Sequence, residues 1–154
     1  MTEHPSIHAM WQSFVKENPA YTDTPYQAWA FGDGTKKMAD DLCALVLTEE
    51  KQGTSSYYLA YEKEQEPLPT KGQFNIILDG DGVAQAIMQT TKVDILPYNH
   101  VTEAHAHAEG EGDQTLTYWK SVHQPFFSKL ASTLDSSFNE TDLVVYEWIK
   151  LVHK

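Results

Sequence analysis

The chain has 154 residues, 41% of them hydrophobic and 12% aromatic, with a formal charge of −11 and a pI of about 4.9. That length and apolar content suit one domain with a single core, built without metals or disulfides. The charge excludes a general polyanion binder, because broad affinity for phosphate backbones needs a basic surface that displaces counterions. A nucleoside or other small polar ligand meets less repulsion.

No stretch approaches the roughly 18 consecutive apolar residues of a membrane helix, so none is expected. The N-terminus, Met1-Thr-Glu-His-Pro5, has neither a basic region nor an apolar region of a signal peptide. The single cysteine, Cys43, sits in a helical pattern beside Leu42 and Ala44 and reads as a buried structural thiol. A reducing cytoplasm is the expected compartment.

In chain order, Ser6 is placed to cap a first helix carrying Ile7, Met10, Trp11, Phe14 and Val15 at helical spacing. Asn18-Pro19 stops it. Residues 20–34 are aromatic and turn-rich, with Tyr21, Tyr26, Trp29 and Phe31, and read as an apolar loop covering the core or rimming a pocket. Thr35 caps a second helix whose stripe is Met38, Leu42, Leu45, Val46 and Glu49. Gly53 is expected to turn the chain at its C-terminus. Thr54-Ser-Ser56 then opens a short extended piece followed by a helical turn. Residues 64–71 read as a surface loop. Gln73–Leu78 and Val83–Thr91 flank Asp79-Gly-Asp-Gly82, the signature of a β-hairpin. Pro97 ends the second strand. Thr102 caps a short helix over residues 103–108. Gly110-Glu-Gly-Asp113 reads as an acidic, mobile loop. Thr115 or Asp113 caps a last helix with Leu116, Trp119, Phe126 and Leu130 on one side, and Pro125 predicts a kink or break in it. Residues 142–152 form a long β-type run, apolar on both faces, suited to a central strand. The order of elements reads as α+β.

Lys51 and Thr54 place an amine and a hydroxyl three residues apart at an expected helix end. Thr54 is a candidate nucleophile and Lys51 its nearest candidate base. The helix end and the adjoining Glu49 and Glu50 favour a protonated lysine, however, and a cation there holds an anion or steadies an oxyanion. Glu109 and Glu111 flank a glycine and are candidate acid–base groups. His100, His105, His107 and His123 invite a metal reading, but no spacing converges three or four ligands. No metal and no cofactor is implied. Trp29, Phe31 and Trp119 adjoin the polar loops and are candidates to line a pocket; Ser55, next to Thr54, joins the expected ligand contacts.

Taken in order, Tyr26-Gln-Ala-Trp-Ala-Phe-Gly-Asp33, Leu47-Thr-Glu-Glu-Lys51-Gln-Gly-Thr54, Glu66-Pro-Leu-Pro69, Asp79-Gly-Asp-Gly82, Glu109-Gly-Glu-Gly-Asp113 and Tyr118-Trp119 resemble the bacterial ASCH domain proteins, over about Trp11 to Val152. The resemblance implies a PUA-like fold, a small mixed β-barrel flanked by helices. It implies a single ASCH domain over residues 1–154, with a helical and aromatic N-terminal extension at about 1–34. It also implies an RNA- or nucleoside-related role. One ASCH branch consists of amidohydrolases that deacetylate N(4)-acetylcytidine with a Lys-x-x-Thr motif and a later glutamate. Lys51 and Thr54 match that motif. His107-Ala-Glu-Gly-Glu111 matches the context of the glutamate, with Glu111 the matching residue and Glu109 the reserve. Another ASCH member is described as a ribonuclease. The family motif commonly begins Gly-x-Lys, where this chain has Glu49-Glu50-Lys51, and the deacetylase branch is shorter and lacks the aromatic N-terminal segment.

Three functions follow as expectations. The first is hydrolysis of an acylated cytidine by Lys51, Thr54 and Glu111. The second is non-catalytic binding of RNA or a modified nucleoside, with Lys51 holding phosphate. The third is ribonuclease activity. No membrane partner is expected, and the sequence carries no signal for oligomeric state.

Overall fold

In the computed structural model, which describes residues 3–154, the elements are α1 (Pro5–Glu17), β1 (Tyr26–Ala30), α2 (Lys36–Leu47), β2 (Gly53–Tyr57), α3 (Tyr58–Glu64), β3 (Phe74–Leu78), β4 (Ala84–Pro97), α4 (Glu103–Glu109), α5 (Leu116–Thr133) and β5 (Leu143–His153), with short 3-10 turns at Pro19–Tyr21 and Tyr98–His100. The five strands form one mixed sheet in the order β1-β3-β4-β5-β2. Only β1–β3 is parallel; the other pairs are antiparallel. Register shifts at Ile77/Leu78 in β3 and at Thr90/Lys92 in β4 bend the ladder. The result is a half-barrel with helices around it.

Strand alternation divides the sheet into two faces. Phe74, Ile76 and Ile87 turn one way, onto Ile7, Trp11, Phe14 and Val15 of α1. Ile77, Ala86, Met88 and Ile149 turn the other way, onto Leu42, Cys43 and Val46 of α2. Both faces of β3 are therefore buried, which is why it reads Phe-Asn-Ile-Ile-Leu with almost no alternation. A third cluster joins Tyr57 and Val144 to Tyr98, Trp119, Phe127 and Ala131 beneath α4 and α5.

Several sequence expectations are corrected. His4, not Ser6, caps α1 by accepting from the Ser6 amide; the Ser6 hydroxyl instead accepts from the Ala84 amide of β4. Residues 20–34 are not all loop, because Tyr26–Ala30 pairs as an edge strand with Phe74–Leu78. The buried face of α2 is Ala39, Leu42, Cys43 and Val46, with Met38 and Leu45 at its margin; burial pushes the Cys43 thiol up to about 11. Helix α5 runs unbroken through Pro125. The carbonyl that Pro125 deprives of its helical N–H belongs to Ser121, and both residues are exposed, where solvent replaces a lost helical bond at little cost.

Gly53 does not turn the chain after α2. Glu49 does, at φ 64°, and Gly53 is the first residue of β2, opposite Trp148. Its lack of a side chain serves packing instead. The Tyr146 hydroxyl passes over it to donate to the His105 carbonyl at 2.7 Å, and a β-carbon on Gly53 would lie 1.9 Å from that hydroxyl oxygen. Gly53→Ala is therefore expected to lower stability by at least about 1–3 kcal/mol, the usual cost of overpacking, read as a lower midpoint in urea with an unchanged slope.

Candidate functional site

The open side of the half-barrel is a cleft of about 800 Å3 between the two edge strands. Residues 26–32 form one wall and residues 54–57 the other. Tyr61 of α3, Pro67 and Pro69 close one end. Glu3, Glu64, Glu66 and Glu147 line the cleft, and no lysine does among the described residues; the chain has no arginine at all. A smaller chamber of about 80 Å3, lined in part by Lys51, Glu109, Glu111 and His123, adjoins it and shares Phe31, Thr54, Ser55 and Phe126 with it.

Lys51 stands in the segment between α2 and β2, three residues past the helix cap at Thr48 rather than at the helix end. The backbone carries it inward: the Lys51 amide donates to the Leu45 carbonyl, and the Gln52 amide donates to the Ala108 carbonyl at the end of α4. Its side chain is 1% exposed. Nζ lies 2.8 Å from Glu111 Oε2 and 3.4 Å from Glu109 Oε1, and 5.3 Å from the Phe31 ring centroid. Two carboxylates and an aromatic face thus surround the amine.

Glu109 and Glu111 do not sit in a mobile, solvated loop. Gly110 takes a left-handed φ of 71° because the chain passes against the Glu50 carbonyl, which leaves no room for a β-carbon. That turn sends Glu109 inward. Its carboxylate accepts from the Ser55 hydroxyl and the Trp119 indole N–H, and His123 Nε2 lies 3.7 Å from it. The imidazole is stacked on Trp119 and its Nδ1 donates to the Trp119 carbonyl. Burial alone would raise the Glu109 carboxyl, but Lys51, His123 and the two hydrogen bonds outweigh it and hold the group below the ordinary glutamate range.

The residues singled out from sequence thus separate. Lys51 meets Glu111 and Glu109 in one chamber. Thr54 lines both the chamber and the cleft, but its hydroxyl is hydrogen-bonded to neither Lys51 nor Glu111. Trp29 and Phe31 line the cleft. Ser55 alternates with Thr54 and turns its hydroxyl to the opposite face of β2, onto Glu109. Trp119 is 2% exposed and supports Glu109 from behind. His105 completes a capping box with Thr102. The residue that sequence reasoning missed is Glu147, 6% exposed at the floor of the cleft; a lone glutamate in an apolar strand run was the available signal.

Lys51→Met strands one buried and one half-buried carboxylate, and Glu109→Gln weakens the pairing of one buried ammonium. Each is expected to cost about 3–5 kcal/mol or, for Glu109→Gln, somewhat less, measured by chemical denaturation. Because the Glu109 pKa is lowered by folding, its contribution is complete above the unfolded value and is lost as pH falls through the folded one. Denaturation between pH 7 and pH 3, roughly the span in which carboxylates titrate, should show a shallower acid loss in Glu109→Gln than in the parent.

The profile of the ASCH domain family matches residues 27–153. Protein EF3133 from Enterococcus faecalis V583, of family DUF984, is 36% identical, over 96% of this chain and 88% of that one, with a TM-score of 0.87. The ASCH domain from Lactobacillus crispatus JV V101 is 27% identical, over 100% of this chain and 98% of that one, with a TM-score of 0.93. Hypothetical protein PH0355 shares the fold alone, at 9% identity and a TM-score of 0.55. No curated protein matches the chain. The half-barrel and its helices are those of the PUA-like structures, and the chain belongs to the ASCH domain family.

Proposed function

We propose that the protein binds a nucleoside-sized ligand in the cleft between β1 and β2 and hydrolyses an acyl-amide on it, with N(4)-acetylcytidine as the model substrate. The observation that carries this reading is the Lys51–Glu111 pair at 2.8 Å, in a chamber that Thr54 also lines and that opens towards a far larger cleft. The Thr54 oxygen attacks the acyl carbon while Glu111 takes the hydroxyl proton. The Lys51 ammonium holds the oxyanion that forms. Collapse breaks the C–N bond, and Glu111 returns the proton to the departing amine. Water then attacks the Thr54 ester, with Glu111 taking its proton and restoring the hydroxyl, and acetate leaves.

ASCH domains are linked to RNA binding in general. The electrostatics here favour a small neutral ligand over a long polyanion. Among the described residues, carboxyl groups and no lysine line the cleft, and the Lys51 amine lies in the adjoining chamber with two carboxylate partners. Among the described residues the cleft itself therefore offers no lysine to hold phosphate or to assist phosphodiester cleavage. A second reading, binding without turnover, is favoured by the unbonded Thr54 hydroxyl.

Purified protein incubated with N(4)-acetylcytidine should release cytidine and acetate. Thr54→Ala and Glu111→Gln should each lower kcat by about a hundredfold or more, the scale of lost nucleophilic or acid–base assistance. Release no faster than in buffer would remove the hydrolytic step and leave the binding reading, which saturable binding of the nucleoside would then support.

A further inference from the structure

The floor of the cleft carries a second buried polar network, separate from the Lys51 chamber and unused by the hydrolytic step. Asn75, Thr90 and Glu147 are 0%, 0% and 6% exposed. They form a chain of hydrogen bonds across four strands. Trp29 Nε1 on β1 donates to Asn75 Oδ1 on β3 at 3.1 Å. Asn75 Nδ2 donates to Thr90 Oγ1 on β4 at 3.1 Å. Thr90 Oγ1 donates to Glu147 Oε1 on β5 at 3.0 Å. An indole N–H can only donate, so Trp29 sets the direction of every later link. The Gln73 amide N–H2, also donating to Asn75 Oδ1 at 2.8 Å, enforces the same orientation.

The chain terminates on Glu147, whose Oε2 has no hydrogen-bond partner among the described residues. Glu147 lines the cleft and stands directly opposite Thr54 in the β2–β5 ladder. Opposed residues of an antiparallel pair have Cβ atoms about 4.5–5.5 Å apart on one face. A group bonded to Oε2 is therefore held beside the Thr54 hydroxyl. Among the described residues no lysine lines the cleft with Glu147, whereas Tyr61 and Glu64 of α3 and Glu66 of the loop after it do. Burial raises its pKa against the pull of the Thr90 hydrogen bond. A protonated carboxyl presents an O–H donor and an acceptor side by side.

We propose that Glu147 reads the polar edge of the ligand: it pairs with a neutral flat heterocycle that presents an N–H donor next to an acceptor atom, held between the aromatic walls of the cleft. The inference rests on the reading above only in placing the ligand there. It assigns recognition to the floor network and leaves bond cleavage to the chamber. The rigid chain from Trp29 positions the carboxyl before the ligand arrives, so little side-chain freedom is lost on binding.

The test is equilibrium binding by calorimetry, with cytidine and N(4),N(4)-dimethylcytidine as probes, which differ in the N–H donor. The parent should bind cytidine at least about tenfold more tightly than the dimethyl analogue, the scale of one buried hydrogen bond. Glu147→Gln, which keeps a donor and an acceptor in the same shape, should bind cytidine within about threefold of the parent. Glu147→Ala should lose about tenfold or more and should no longer distinguish the two probes. Thermal unfolding of each variant checks that the sheet is intact. Equal binding of both probes by the parent, binding unchanged in Glu147→Ala, or Glu147→Gln as weak as Glu147→Ala would each overturn the inference. Failure of the two readings is distinguishable. Glu147-dependent binding without acetate release removes only the hydrolytic step, whereas acetate release that is indifferent to Glu147→Ala removes only the reader.

Discussion

The interaction on which the site depends is the burial of one ammonium. Taking Lys51 out of water costs several kcal/mol even after relaxation, and the neighbouring structure is arranged around that cost. Glu109 and Glu111 supply opposite charge from the α4–α5 turn, and Phe31 supplies an aromatic face from the end of β1. The backbone locks the two distant segments together, with Gln52 bonded both to Ala108 of α4 and to Ile149 of β5. Glu109, now buried, needs partners of its own, and Ser55, Trp119 and His123 provide them. Two carboxylates against one ammonium leave the chamber with no surplus of positive charge.

The second constraint is that the sheet stops at five strands. A closed barrel would satisfy both edges, whereas here β1 and β2 remain apart and the space between them is the cleft. The concave face answers this with two chemistries. Where α2 covers it, the lining is apolar, with Ile77, Met88 and Ile149 against Leu42 and Val46. Towards the cleft it turns polar, through Asn75, Thr90 and Glu147, each partnered by its neighbour across the sheet. Buried polar groups on a sheet are tolerable only when so connected. The same chain of bonds makes the floor rigid.

Much of the fold was legible because it is local. The stripe of α1, the Thr35, Thr102 and Thr115 caps, and the hairpin around Asp79-Gly-Asp-Gly82 are all set within a dozen residues. Strand β1 was not legible. It is five residues long, lacks clean alternation, and finds its parallel partner only at Phe74. Gly53 was misread for a related reason: its need for a bare α-carbon comes from Tyr146, far along the chain. Pro125 was read as a kink or a break; the helix does not break there, and the packing of Trp119 and Phe127 together with the exposure of Ser121 keeps it continuous.

The site divides along the same line. The sequence by itself determined which groups were available: an amine and a hydroxyl three residues apart, two glutamates around a glycine, aromatic residues in a turn-rich segment, and a charge that argues against polyanions. Only the tertiary structure decided what those groups are. Lys51 and Glu111 are 60 residues apart, and Thr90 and Glu147 are 57 apart. The charge of a lysine and the proton of a glutamate depend on water excluded and partners supplied, and both are properties of packing. The chain order places Glu147 in an apolar run like any other strand. The fold, by setting it opposite Thr54 with one oxygen free, gives it a chemistry that its neighbours in sequence do not carry.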